Sequence, residues 1–302
     1  MKTHPLLKAL LILIVICTLF FVMVLGLSYF GDQYFFELGG DRIGIVKIEG
    51  TIVDSEPVIE KIVKFRKSTS VKAIILRINS QGGMVAPSQE IYREVKKASK
   101  EKKVVVSMES IAASGGYYIA CAADTIFANP GTLVGSIGVI LQIENIEELL
   151  QKIGLKRKVI KSGRYKDIGS MTREMTEQEE AILQQFSDDI YNQFIDAVAE
   201  GRKMKREEVL RLADGKIFAG TQALELGLVD NLGNLQDAIA ATGEMVGIEG
   251  EPKVIYPKKE RLSILDFIFQ EAAENIVRIM KRMIHDTLNV YYFSPPVEAP
   301  LS

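Results

Sequence analysis

Histidine is almost missing from this chain, with two in 302 residues. His4 precedes the first long apolar run, and His285 lies outside the alternating pattern that fills the middle of the chain. A Ser-His-Asp triad needs an imidazole beside its serine, so that arrangement is not expected. Cysteine is equally scarce: Cys17 sits in the apolar run and Cys121 in a second apolar segment. They are not placed to pair, which excludes a disulfide framework, and Cys121 reads as a small core residue. No Cys/His cluster has metal-ligand spacing, so neither a metal nor any other cofactor is expected. A net charge of -2 leaves no basic excess and argues against a nucleic-acid partner. No internal repeat or low-complexity segment is present.

Charge is also absent between Lys8 and Asp32, where Ala9 to Phe30 reads ALLILIVICTLFFVMVLGLSYF. As a helix rising about 1.5 Å per residue, this run matches a hydrocarbon core of roughly 30 Å. A cleaved signal peptide would have a shorter apolar region ending in small residues. A lipoprotein anchor at Cys17 would need a small residue where bulky Ile16 stands. The expectation is a retained transmembrane signal anchor over residues 9–30. Lys2 and Lys8 precede it, while Asp32 and Glu37 follow. The positive-inside bias then leaves the tail, 1–8, in the cytoplasm and everything beyond the span on the far side.

After a linker, 31–41, strand and helix patterns alternate. RIGIVKIEG (42–50), VKAIILRINS (71–80) and KKVVVSM (102–108) read as strands. VIEKIVKFRKS and APSQEIYREVKKASK read as helices between them, the second beginning near Pro87. A further helix is predicted at ENIEELLQKIG (144–154) and a further strand at KRKVIKSG (156–163). The alternation predicts an α/β fold of βα units around a largely parallel sheet. Thr176 and Glu179 have the form of a capping box. The stripe of Ile182, Phe186, Ile190, Phe194 and Val198 that follows is assigned to packing. Residues 220–247 read as a helix–turn–helix closing a domain over 42–258. In the extension, 259–302, an amphipathic stretch at 261–290 has one apolar face for the domain, a neighbouring subunit or a membrane surface. Its last residues, SPPVEAPLS, are expected to be disordered.

The chemistry centres on ESIAASGGYYIACAAD (109–124). Ser114 stands where a β-like run turns into an apolar helix. It can cap that helix, or act as a nucleophile beside amide donors that the corner leaves free. With no histidine at hand, the base for a nucleophile would be lysine. A lysine must lose about three units from its ordinary pKa of about 10.4, roughly 4 kcal/mol of differential solvation, so it should be dehydrated. Lys166 in SGRYKDIGS (162–170) is a candidate, with exposure as an ordinary surface lysine the alternative. In INSQGGMV (78–85), two glycines at a strand end either make a flexible turn or aim amide donors at an oxyanion.

Five motifs then fall in order: NSQGG, ASGGYYIACAAD, GTLVGSIGV, SGRYKDIG with the following REMTEQE, and ADGKIFAGTQALELGLVD. Together they resemble the signal peptide peptidase A family in its short bacterial form, over about Arg42 to Gly247. The resemblance implies a crotonase-like fold of stacked ββα units, similar to the Clp protease subunit, and a Ser–Lys dyad. It makes Ser114 the nucleophile, Lys166 the general base, and Ser136 the serine that orients the lysine. Gly83 and the amide of Gly115 become the oxyanion donors, with Gly82 adjacent. Gln81 departs from the proline usual in the family, which leaves open which glycine N–H faces the site. The resemblance further implies a ring-like homo-oligomer, an octamer, with serine and lysine from adjacent subunits. It stands on the bacterial cytoplasmic membrane with its peptidase domain on the periplasmic side. The substrates it implies are cleaved signal peptides and other apolar peptides. If Ser114 is a nucleophile it still occupies the cap position, so one residue is expected to fill both roles. The competing readings are a related membrane protease with stomatin-like substrates, a non-catalytic membrane scaffold, and a crotonase-type acyl-CoA enzyme. The anchor and the lysine motif argue against the last.

Overall fold

The computed structural model describes residues 13–20, 23 and 40–257. Among these, no helix is long and apolar enough to cross a membrane. Most of the expected span, the tail before it, nearly all of the linker and the extension 259–302 lie outside the described residues, as do both histidines.

Runs of β-branched and other aliphatic residues form the cores of three strands, β1 (Arg42–Ile52), β2 (Val71–Gly83) and β3 (Lys103–Ala113). They pair in parallel, β1 on β2 and β2 on β3. Ile45 and Val46, Ile75 and Leu76, and Val105 and Val106 are neighbours with opposite faces, and all are fully buried. Such continuous burial marks a parallel sheet covered on both sides. The crossovers are α1 (Glu56–Lys67) and α2 (Val85–Ser99). Their Phe65 and Ile91 join Ile74, Leu76 and Val106 in one core. Each such side chain contributes about 1.5–3 kcal/mol on burial.

Beyond β3 come α3 (Gly115–Ala120), β4 (Thr125–Ala128), β5 (Leu133–Gly135), α4 (Glu147–Lys152) and α5 (Glu177–Arg202). The described residues close with α6 (Arg206–Leu212), β6 (Ile217–Ala219), α7 (Gly220–Glu225), β7 (Asn231–Leu232), α8 (Leu235–Met245) and β8 (Lys253–Ile255). Ala238 and Ile239 of α8 cover the other face of the sheet, against Ile43, Ile75 and Val105.

The sheet forks at β3. Its first half pairs with β4 and its last residues, Ile111–Ala113, pair with β5. Between these halves the register against β2 slips, as at a β-bulge. The carbonyls this bend takes out of the ladder find other donors. Arg77 Nη1 and Asn129 Nδ2 each donate to Met108 O at 3.2 Å, and Thr132 Oγ1 donates to Glu109 O at 2.6 Å. The bend carries β3 on to Ala113, well past the predicted end at Met108, and delivers Ser114 to the carboxyl edge of the sheet.

Three expectations need correction. The predicted strand at 156–163 does not form: Ile160 is 90% exposed, and no strand in the described chain lies beside it to complete a ladder. The helix predicted at 144–154 shrinks to α4, none of whose residues is buried. The stripe on α5 packs only at its carboxyl end, where Phe194 and Val198 are buried; Ile182 and Phe186 remain 40% and 56% exposed. The capping box at Thr176 and Glu179 forms as read.

Candidate active site

Because β3 and β5 run parallel with Ala113 opposite Gly135, Ser114 and Ser136 leave two neighbouring strand ends in register. Strands so paired lie about 5 Å apart. Both serines take positive φ, 49° and 50°, a region that costs a residue with a Cβ about 1–3 kcal/mol. Backbone bonds hold them there. Ser114 N–H donates to Gly135 O, and Ser136 N–H donates to Lys216 O, each at 2.8 Å.

Ser114 occupies the cap position of α3, yet its side chain makes no capping hydrogen bond. A capping serine sits in the extended region, with its oxygen over the first helical amides. At φ 49° and ψ -121° Ser114 has left that region. The expected capping role is therefore not filled, and the hydroxyl is left without a capping bond. Gly115 is the first residue of α3, so its N–H has no partner within the helix.

The glycine loop presses against this corner. Gly82 has φ +99°, and a Cβ there would fall 2.7 Å from Gly115 N and 2.8 Å from Ser114 Cβ. Its N–H donates to Ser80 Oγ at 3.1 Å, and that hydroxyl donates to Gly50 O at 2.6 Å. The Gly82 amide is thus engaged, which leaves Gly83 as the loop's candidate donor. Where the family usually has proline, Gln81 donates from Nε2 to Thr51 Oγ1 at 2.6 Å, so a side-chain tie holds the turn.

Two cavities meet at Ser114. The smaller, about 40 Å³, is walled by Val85, Tyr118, Val139, Ile190 and Phe194, with Gly83 and Gly115 at the serine. Tyr118 packs between Tyr92 and Phe194, with ring centroids 4.8 and 5.1 Å away. Burial raises its phenol above the ordinary value. The larger, an open cleft of about 640 Å³, runs past Gly82 and Ser136 to Asp188 of α5 and to Asp214. The hydrogen bond from Lys216 holds the Asp214 carboxyl below its usual range. Sequence reading missed the apolar pocket because its walls come from four separate segments between 83 and 194. The α5 stripe was the available signal, and it read as packing.

The structure brings together Ser114, Ser136, Gly82, Gly83 and Gly115. Lys166 is not with them. It is exposed, on consecutive turns over 163–170, and lines neither cavity. Cys121 is buried as expected, and burial pushes its thiol up to about 12. Among the described residues, no three His, Cys, Asp or Glu side chains converge as metal ligands.

The family model for Peptidase family S49 matches residues 96–249. A protein of Synechocystis sp., provisionally named a protease, is 43% identical over 245 residues, covering 78% of this chain and 87% of the relative. A protein of Enterococcus faecium, provisionally named signal peptide peptidase SppA, is 41% identical over 177 residues, 58% of this chain and 52% of its own. The chloroplastic serine protease SPPA of Arabidopsis thaliana is 35% identical over 244 residues, 79% of this chain and 36% of its own. The chain thus spans most of the cyanobacterial protein and about half or less of the other two. On these likenesses it belongs to peptidase family S49, as an SppA-like serine peptidase.

Proposed function

We propose that this chain is a membrane-anchored endopeptidase, held by residues 9–30, that cuts remnant signal peptides and similar apolar peptides on the far side of the membrane. The observation that carries this reading is the corner at Ser114. A hydroxyl with no capping bond, on strained backbone, lines a small apolar pocket together with Gly83 and Gly115. Ser114 Oγ attacks the peptide carbonyl while a neutral lysine takes its proton. The two amides hold the oxyanion. The ammonium then protonates the leaving amine, and water, deprotonated by the same lysine, releases the acyl group. A pocket of about 40 Å³ accepts a small aliphatic side chain.

The base is Lys166 of an adjacent copy, oriented by Ser136. Three features support the shared site: Lys166 lies outside both cavities of its own chain, the cleft beside Ser136 is open, and apolar residues such as Ile160 and Phe186 stand exposed. The copies form a ring on the membrane, for which the family resemblance suggests eight members.

Mixed assembly tests this. Full-length Ser114→Ala and Lys166→Ala are each expected to be inactive on an apolar fluorogenic peptide in detergent. Co-expressed in equal amounts, they place an intact serine beside an intact lysine at one site in four, so about a quarter of wild-type activity should return. No recovery from verified mixed assemblies would place both residues in one chain. Full activity of either variant alone would overturn the dyad.

A further inference from the structure

The residue after Lys166 is a carboxylate, Asp167. A carboxylate beside a lysine favours the ammonium form, the form that cannot act as a base. The structure answers this with two cations. Arg173 Nε donates to Asp167 Oδ2 at 3.0 Å, and Lys161 Nζ donates to Oδ1. These bonds hold the Asp167 carboxyl well below its usual range. The Arg173 fork continues to Glu179, with Nη1 to Oε2 at 2.8 Å and Nη2 to Oε1 at 2.5 Å. Glu179 is the buried capping-box residue at the start of α5, the helix that lines both cavities at Ser114. The remaining cation of the turn, Arg164, faces Gln178 and the Tyr165 ring. Lys166 Nζ itself has no hydrogen bond or ion pair among the described residues.

We propose that Arg173 and Lys161 are positioning residues for the base: by occupying both oxygens of Asp167 they deny Lys166 a carboxylate partner, and through Glu179 Arg173 ties its turn to α5. The proposal rests on Lys166 being the base. The charged groups it involves are Lys161, Arg164, Asp167, Arg173 and Glu179 around the turn, and Asp188 and Asp214 in the cleft beside Ser136 that receives the lysine. Lys161 Nζ also donates to Arg164 O at 2.8 Å, and Arg173 donates to Asp167 O at 3.2 Å and to Glu174 O at 2.9 Å. Glu179 belongs to a structural cap as well, so loss of Arg173 has two separable effects. One is on charge at Asp167 and the other on the fold at α5.

The test uses the full-length protein as wild type, Arg173→Gln, Arg173→Lys, Asp167→Asn and the Arg173→Gln/Asp167→Asn double variant. Trace acetylation across pH 6–11, read by mass spectrometry at Lys166, gives the pH at which its amine is half reactive, whatever its catalytic role. In Arg173→Gln the midpoint should rise by about 0.5–1 pH unit, with activity below it falling three- to tenfold in parallel. The double variant should return the midpoint to wild type, because the freed carboxylate is gone. Arg173→Lys, which keeps a charge by Asp167 and loses the fork, should hold the midpoint while lowering the melting temperature. An unchanged midpoint in Arg173→Gln, or one the double variant fails to restore, would overturn the proposal. If Lys166→Ala keeps full activity the base assignment fails, and the labelling midpoint still reports separately on Asp167.

Discussion

Ser114→Gly separates the strain at the serine corner from its chemistry. At φ 49° and ψ -121° the Ser114 backbone occupies a region nearly reserved for glycine, at a cost of about 1–3 kcal/mol for any residue with a Cβ. Alanine removes the hydroxyl and keeps that cost; glycine removes both. Glycine also makes the unfolded chain more flexible, which takes back about 0.4–1 kcal/mol. The balance favours Ser114→Gly over Ser114→Ala by about 1 kcal/mol, or about 2–4 °C in a domain of this size. Both variants should be inactive, so the pair isolates the Cβ. Thermal unfolding of the full-length variants, followed by calorimetry in one detergent, is the assay. A glycine variant melting at or below the alanine variant would show that the corner is not strained, and the argument for a stored, pre-set nucleophile would fall.

Gly82→Ala should lower both stability and kcat: its Cβ would strike Gly115 N and Ser114 Cβ on a backbone at φ +99°. The cost is about 1–3 kcal/mol in melting measurements. Ser136→Ala should leave the fold intact and slow hydrolysis by about ten- to a hundredfold, the worth of one hydrogen bond to a charged group. Ile190→Ala should open the 40 Å³ pocket, moving preference towards larger apolar side chains by about tenfold or more in kcat/KM for each added methylene. Cys121 should resist alkylation in the native protein at pH 8. Its thiol stays protonated up to about 12 when folded and ionises near 8.5 when unfolded. The unfolded state therefore binds fewer protons between those values, so stability falls as pH rises there, by up to about 1.4 kcal/mol per unit. Cys121→Ala should flatten that part of the stability–pH curve.

The central strands were legible because Val, Ile and Leu on both faces leave a parallel sheet as their natural arrangement, and the capping box at Thr176 because its signal is local. Strands β5, β6 and β7 were not, being two or three residues long and defined by what they pair with. Segment 156–163 had a strand's composition but no partner strand among the described residues, and composition cannot reveal a missing neighbour. At the site, the glycines and Ser114 stood out through a turn pattern. The loss of the cap did not, because it depends on a backbone angle set by the bond to Gly135. The apolar pocket escaped for a related reason: Ile190 and Phe194 repeat at helical spacing whether they fill a core or wall a cavity.

The exposed parts of the molecule bear on the proposal that a lysine serves as its base. A lysine acting near neutral pH must give up roughly 4 kcal/mol of hydration preference, and an exposed turn such as that carrying Lys166 supplies no burial to offset it. Burial of one or two large apolar side chains, at about 1.5–3 kcal/mol each, is of that size. Ile160 and Phe186 are available on the surface. An interface that covers them while inserting Lys166 into the cleft beside Ser136 of a neighbour would offset dehydration of the amine with the same contacts that build the proposed ring. Activity and assembly should then fail together. Phe186→Asp, placed outside both cavities, should dissociate the assembly and abolish hydrolysis without lowering the melting temperature of the subunit. Activity surviving in dissociated subunits would mean that Lys166 reaches Ser114 within one chain, or that another group does its work.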